Sequence, residues 1–252
     1  KLLLMVEALY DYYEKSYNRS ECITNNVLIA KRAEEYLPTS PYYSGNGMLL
    51  NKDILDFIRY HISQKFLNEV ISTFPNQIKG IIDANILPSP YKNNWKSVPR
   101  YLRKHGLKTK KNMTDSLFYL DLQFCFNTPV KTPNTTVIKP HIDSRDKLFN
   151  ALIYLRPNSD KNTGGDLCLH QSSNDWKTKN EDNAIHDIWQ SDNDNIKKVI
   201  KYKRNRMVLF FNSNASVHSV SKRPVTNSWR RYINLTCDHE TNFFRSNTPY
   251  LT

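Results

Sequence analysis

One His-x-Asp triplet occurs in the 252-residue chain, Pro140-His141-Ile142-Asp143, inside a stretch rich in β-forming residues. On an extended strand, residues two apart share a face, so this imidazole and this carboxylate can converge on one metal ion. Taken alone, the pair reads equally well as two hydrogen-bonded surface groups. Further along, Asn214-Ala215-Ser216-Val217-His218-Ser219-Val220 sets another histidine in a β-type run. Arg230 and Arg231 follow it and open the run Arg231-Tyr232-Ile233-Asn234-Leu235. Between the two histidines lie Ala151-Leu152-Ile153-Tyr154-Leu155 and then Thr163-Gly164-Gly165-Asp166-Leu167. The order of these pieces carries more information than any one of them.

The set, spread from Leu117 to Cys237, resembles the non-haem Fe(II)/2-oxoglutarate-dependent dioxygenases, particularly their prolyl-hydroxylase-like branch. That resemblance implies a double-stranded β-helix, or jelly roll. It also implies Fe(II) as the metal, held by His141, Asp143 and His218, with 2-oxoglutarate and O2 as co-substrates. Two neutral imidazoles and one carboxylate take one face of an octahedral Fe(II) and leave the other open. In the family, 2-oxoglutarate chelates through its 2-oxo and C1 carboxylate oxygens, and its distal carboxylate needs a fixed cation. A bidentate guanidinium suits that carboxylate best. Aligning Arg231-Tyr232 with the Arg-Tyr pair common in related prolyl hydroxylases selects Arg231; the opposite parity would present Arg230 together with Tyr232 and Asn234. Tyr154 matches the family tyrosine that bonds the same distal carboxylate, although ordinary packing would also explain it. The retained Asp143 points away from halogenation, which in related enzymes needs a small residue there. Hydroxylation, desaturation or oxidative ring closure, with release of succinate and CO2, are the remaining outcomes.

Three further features attach to this reading. Gly164-Gly165 fits a tight turn where a side chain would obstruct a close backbone approach. Asn212 and Asn214 stand just ahead of His218, where they orient it, line the substrate side or simply turn the chain. Gln123 could face the same pocket. His61 reads as a core or boundary residue on a helix, and His105, His170, His186 and His239 have no paired ligand at sensible spacing.

The elements that would position these groups fall into two halves. The spacing of Ile54, Phe57, Ile58, Ile62, Phe66 and Val70 predicts one helix from Ile54 to Ile71, with Asn51 as its N-cap and Asp53 in its first turn. Leu2–Tyr17 and Asn26–Tyr36 read as further helices, and Pro38, Pro41, Pro88, Pro90 and Pro99 punctuate the connections. From Ser116 onward, short β-rich runs appear at Ser116–Asn127, Thr135–His141, Phe149–Arg156, Asp166–His170, Met207–Phe211, Val217–Val220 and Tyr232–Thr236. Strands joined by polar loops without intervening helices indicate an antiparallel sandwich or barrel. Asn158–Asn162 and Ser172–Asn183 read as surface loops. The expected fold is thus α+β but mainly β: residues 1–115 form a helical support packed on a catalytic core of 116–252, the two making one integrated domain.

Composition narrows the class of partner. A formal net charge of +12 favours anionic ligands, although an abundance of Lys and Asn can equally reflect an A/T-rich genome. The substrate expected first is a small, anionic, amino-acid-like metabolite. A protein or peptide hydroxylase ranks second and a nucleic-acid demethylase third. Basic clusters at Arg103-Lys104, Lys108, Lys110-Lys111 and at Lys197-Lys198, Lys201, Lys203-Arg204 suit the third. That branch, however, carries a second arginine six residues after the first, which neither Arg230 nor Arg231 has. Outside the enzyme class, the same residues could belong to a non-catalytic jelly-roll binding module or a structural zinc site. Cys22, Cys125, Cys168 and Cys237 form no CxxC pair, which suits reduced thiols and a cytoplasmic setting by default. No apolar run approaches the ~20 residues of a membrane span. The chain starts at Lys1 without a methionine, so a preceding targeting segment stays open.

Overall fold

The computed structural model describes residues 2–19, 26–37, 40, 50–83, 87, 94–100, 117–133, 140–171, 187–188, 196–213, 215–239 and 243. The basic cluster 103–111, the loop 172–183, His105, His186, Asn214, Cys22 and most of the run 135–140 lie outside them.

Helix α1 (Leu2–Arg19) packs its apolar face onto a sheet: Val6, Leu9, Tyr10 and Tyr13 are buried. The helix read across Ile54–Ile71 is two helices, α2 (Lys52–His61) and α3 (Gln64–Thr73). The three-and-four apolar spacing continues through the break, so periodicity could not reveal it. Ser63 makes the break, its hydroxyl accepting from the Phe66 amide at 3.4 Å as the cap of α3. Asn51 caps α2 as expected, accepting from the Asp53 amide at 2.8 Å. Helix α4 (Pro75–Asp83) follows, with Pro75 at its first position, where a missing N–H costs nothing.

The segment expected as a helix over Asn26–Tyr36 is instead strand β1 (Leu28–Arg32) followed by a 3-10 turn, Ala33–Tyr36. Leu28 and Ala30 are exposed while Ile29 packs against the core, a period of two that belongs to a strand. Strand β2 (Lys96–Pro99) pairs in parallel with β3 (Leu117–Asn127), and β1 pairs antiparallel to the other end of β3. The remaining strands are β4 (His141–Ile142), β5 (Lys147–Tyr154), β6 (Leu167–His170), β7 (Asp187–Ile188), β8 (Ile196–Ile200), β9 (Arg206–Phe211), β10 (His218–Val220) and β11 (Arg230–His239). They form two sheets: β1-β3-β11-β5-β9 with β2 beside β3, and β7-β4-β10-β6-β8. The protein is therefore mainly β with some helices.

The larger sheet has two chemically different faces. Phe118, Leu120, Leu122, Phe124 and Phe126 of β3, with Ile233, Leu235 and Cys237 of β11, join the helices in one apolar core. Tyr10 meets Phe124 and Phe126 edge-on at 6.3 and 5.9 Å, and its hydroxyl donates to the Tyr232 carbonyl at 2.6 Å. The alternate residues point toward the second sheet: Asp121, Gln123, Cys125 and Asn127 on β3, and Arg230, Tyr232, Asn234 and Thr236 on β11. A smaller cluster of Cys125, Tyr154, Leu167, Tyr202 and Tyr232 joins the two sheets. Because both faces are covered, β3 is buried along nearly its whole length.

Candidate metal centre and its anion-facing neighbour

Antiparallel pairing sets His141 of β4 directly opposite His218 of β10, with ring centroids 4.3 Å apart. Asp143 lies two residues past His141. One nitrogen or oxygen from each of the three residues lies within 4.8 Å of the other two, and all three side chains are buried. His141 Nε2 is 4.0 Å from Asp143 Oδ1, and His218 Nε2 is 3.5 Å from Oδ2. Nδ1–H of His218 donates to the Ser216 carbonyl at 2.8 Å; that acceptor fixes the tautomer and turns the Nε2 lone pair toward the cluster. Phe210 packs its ring 4.8 Å from that of His218.

The electrostatics favour a ligand-ready state. Burial pushes the His218 pKa below its ordinary value against the pull of Asp143, so the ring is neutral at physiological pH. Burial would raise the Asp143 carboxyl, but the Lys147 ammonium above all, helped by the neighbouring imidazoles, outweighs it and holds the pKa low. The main chain here is also pinned. Asn212 donates to the Ser144 carbonyl at 2.7 Å and accepts from Ser216 Oγ at 3.0 Å, tying the His-x-Asp loop to the loop before His218.

The two arginines part company. Arg231, the alignment's choice, points to the helical side, where it pairs with Glu14 at 2.5 Å and Asp11 at 2.7 Å. That corrects the expected parity, because successive residues of β11 face opposite ways. Arg230 is the one between the sheets, at 1% exposure. Its guanidinium sits 5.5, 5.3 and 4.5 Å from the ring centroids of Tyr154, Tyr202 and Tyr232. Nε donates to the Gly165 carbonyl at 3.0 Å and Nη1 to Asn127 Oδ1 at 3.4 Å. Nη2 of Arg230 and the hydroxyl of Tyr154 are buried with no hydrogen-bond partner among the described residues. Burial pushes the Tyr154 phenol up while the Arg230 charge draws it down.

The glycine pair makes room for this arrangement. Gly164 and Gly165 have φ of +79° and +74°; a Cβ on Gly164 would lie 1.8 Å from the Lys222 carbonyl oxygen. On Gly165 a Cβ would press on Arg230 and Arg223 at 3.2 Å. Gln123 lies on the same face and donates to Asp121 Oδ2 at 2.8 Å. Two neighbours of Asp143 escaped sequence reasoning: Lys147 Nζ at 3.2 Å from Oδ1, and Asn150 Nδ2 at 2.6 Å from Oδ2. Asn150 stands four residues before Tyr154 on β5, so strand parity alone would have put it on the site face.

Residues 130–235 match the family model of the 2OG-Fe(II) oxygenase superfamily. The matched segment is thus similar to that superfamily's oxygenase domain, and it contains His141, Asp143, His218, Tyr154 and both arginines. The family works with Fe(II), 2-oxoglutarate and O2, and the His141-Asp143-His218 cluster can hold a metal ion. No curated protein matches the chain significantly. Among solved structures, it is similar to a prolyl-4-hydroxylase from Pseudomonas putida, at 16% identity over 48% of each chain with a TM-score of 0.29. It is also similar to IDO from Bacillus thuringiensis, at 15% identity over 56% of this chain and 55% of that one, with a TM-score of 0.32. The match thus spans about half the length of these structures.

The residues present fit the groups this family uses. Two imidazoles and one carboxylate are a donor set suited to Fe(II). A guanidinium nitrogen and a phenol that both lack a hydrogen-bond partner among the described residues suit a carboxylate.

Proposed function

We propose that this chain is an Fe(II)/2-oxoglutarate-dependent dioxygenase that oxidises a C–H bond of a small, anionic, amino-acid-like metabolite. Its two sheets form the double-stranded β-helix of such enzymes, with residues 1–115 supporting a core of 116–252. His141, Asp143 and His218 hold the metal. Arg230, with Tyr154, binds the distal carboxylate of 2-oxoglutarate. The observation that carries the reading is the buried Arg230, whose Nη2, like the hydroxyl of Tyr154, has no hydrogen-bond partner among the described residues. A cation sealed in a protein interior without a counter-charge is costly, and an incoming carboxylate relieves that cost.

In this reading the bound iron supplies oxidation of the 2-oxo acid by O2, giving succinate, CO2 and an oxidised substrate. The protein's own residues do the rest. The Ser216 carbonyl holds the His218 proton on Nδ1. Asn212 fixes the two loops against each other. Tyr154, Tyr202 and Tyr232 wall the guanidinium from water, so its attraction for a carboxylate is not diluted by solvent.

A polar substrate is supported by the other end of the same face. Arg32 lies 3.0 Å from Asp121 Oδ2, and Arg100 lies 3.0 Å from Asp238 Oδ2; each arginine side chain keeps about a third of its surface in solvent. The basic run after β8 is poorly suited to nucleic acid, since Lys201 pairs with Asp166 at 3.0 Å and Arg204 pairs with Glu7 at 2.7 Å. The test is succinate release on a panel of amino acids and their acidic derivatives, with His141→Ala and Asp143→Ala as controls. Turnover that needs Fe(II) and 2-oxoglutarate and disappears in both variants supports the proposal. Turnover surviving in either variant removes the metal assignment.

A further inference from the structure

Asp143 is the single acidic ligand of the cluster, and both of its oxygens are engaged by side chains from the start of one strand. Lys147 Nζ lies 3.2 Å from Oδ1, and Asn150 donates to Oδ2 at 2.6 Å. Both hold the carboxylate, but their charges differ. The neutral amide fixes the plane of the carboxylate and leaves its negative charge intact. The ammonium brings a positive charge beside the place a cation would occupy, where it repels that cation.

The backbone of Asp143 is held separately, by the Asn212 amide at its carbonyl and at that of Ser144. Among the described residues, orienting the carboxylate itself therefore falls to Asn150 and Lys147. Asn150 is 3% exposed on a central strand, its backbone in register with Thr236 of β11 and Phe210 of β9. A short, two-torsion side chain in that setting has little freedom, which suits a positioning role.

We propose that Asn150 is the positioning residue of the metal centre and that Lys147 opposes divalent binding, so that removing each moves metal affinity in opposite directions. The proposal rests on the metal reading of His141, Asp143 and His218. A residue that merely filled space or satisfied a buried polar atom would alter stability without altering affinity.

The test is anaerobic Co(II) titration of the full chain, followed by its visible d–d bands, with thermal melts in metal-free buffer. Asn150→Leu is expected to weaken Co(II) binding ~10- to 100-fold, the usual loss when a partner of a metal ligand is removed. Lys147→Met is expected to tighten it. Leu152→Ala, two residues along on the same face, controls for packing: it should lower Tm and leave affinity unchanged. Asn150→Ser provides a milder variant should the leucine prevent folding, and it should also weaken binding. Equal affinity in the wild type and a folded Asn150 variant would overturn the positioning role. Weaker binding by Lys147→Met would overturn the opposing one. A wild type that binds no Co(II) would instead overturn the metal reading on which both depend.

Discussion

Arg230 and Arg231 show how one register step decides a residue's chemistry. Arg231 meets Asp11 and Glu14 on α1, so its charge is answered inside the protein. Arg230 has three tyrosine rings, one carbonyl and one amide around it, and no carboxylate among the described residues. Arg230→Ala is therefore expected to raise the 2-oxoglutarate concentration for half-saturation by about 100-fold or more, the scale of breaking a buried charged pair from one side. Arg231→Ala should leave that concentration within about twofold and lower Tm, because it releases α1. Calorimetric titration with 2-oxoglutarate, paired with thermal melts, separates the two, and the reverse pattern would return the role to Arg231. Residue types were legible here: His141, Asp143 and His218 do cluster, and Tyr154 does lie beside an arginine of β11. The face of the arginine was not, because an Arg-Arg-Tyr run reads equally well in either parity until the partners of α1 are known.

At the scale of elements, the turn before β6 explains how Arg230 is accommodated. Gly164→Ala would set a Cβ against the Lys222 carbonyl oxygen and demand a left-handed backbone that alanine resists. A loss of several kcal/mol, or failure to fold, is expected in chemical denaturation. Gly165→Ala carries the same left-handed backbone strain and in addition presses on the Arg230 side chain, so it should weaken 2-oxoglutarate binding as well as lower stability. A Gly165→Ala variant with wild-type affinity would show that the guanidinium is not held by this turn. Element boundaries were less legible than the turn. An apolar stripe continues from Ile62 to Phe66 across Ser63, so one helix is expected where a serine cap starts a second. Over 28–32 the pattern is too short to distinguish periods of 2 and 3.6, and pairing with β3 decides for a strand. Strand β8 hid behind its lysines, since its described residues are largely exposed at a sheet edge.

Over the whole molecule, the larger sheet divides the described residues into an apolar helical side and a polar side that faces the second sheet. Such burial of charge has a signature in pH. Burial raises the Asp238 carboxyl to about 6 against the pull of Arg100, from an unfolded value near 4. A folded pKa above the unfolded one means stability present below pH ~4 is lost as pH rises through 6. His218 works in the opposite sense: its depressed pKa makes its share of stability fall away in acid, below the ordinary histidine range. Asp238→Asn should therefore flatten the decline of Tm between about pH 4 and 7, while Asp121 and Glu14, also raised by burial, keep their own shares. An unchanged slope in Asp238→Asn would mean that Arg100 neutralises the buried carboxylate fully.

In the proposed reading, His141, Asp143 and His218 would hold Fe(II), and Arg230 would bind the distal carboxylate of 2-oxoglutarate. The most direct measurement is anaerobic addition of Fe(II) and then 2-oxoglutarate to the purified chain, watched for the visible charge-transfer band of a 2-oxo acid chelated to Fe(II). The account predicts a band in the wild type, none in His218→Ala, and in Arg230→Ala a band that needs far more 2-oxoglutarate to develop. A folded wild-type protein that gives no band at saturating Fe(II) and 2-oxoglutarate would contradict it.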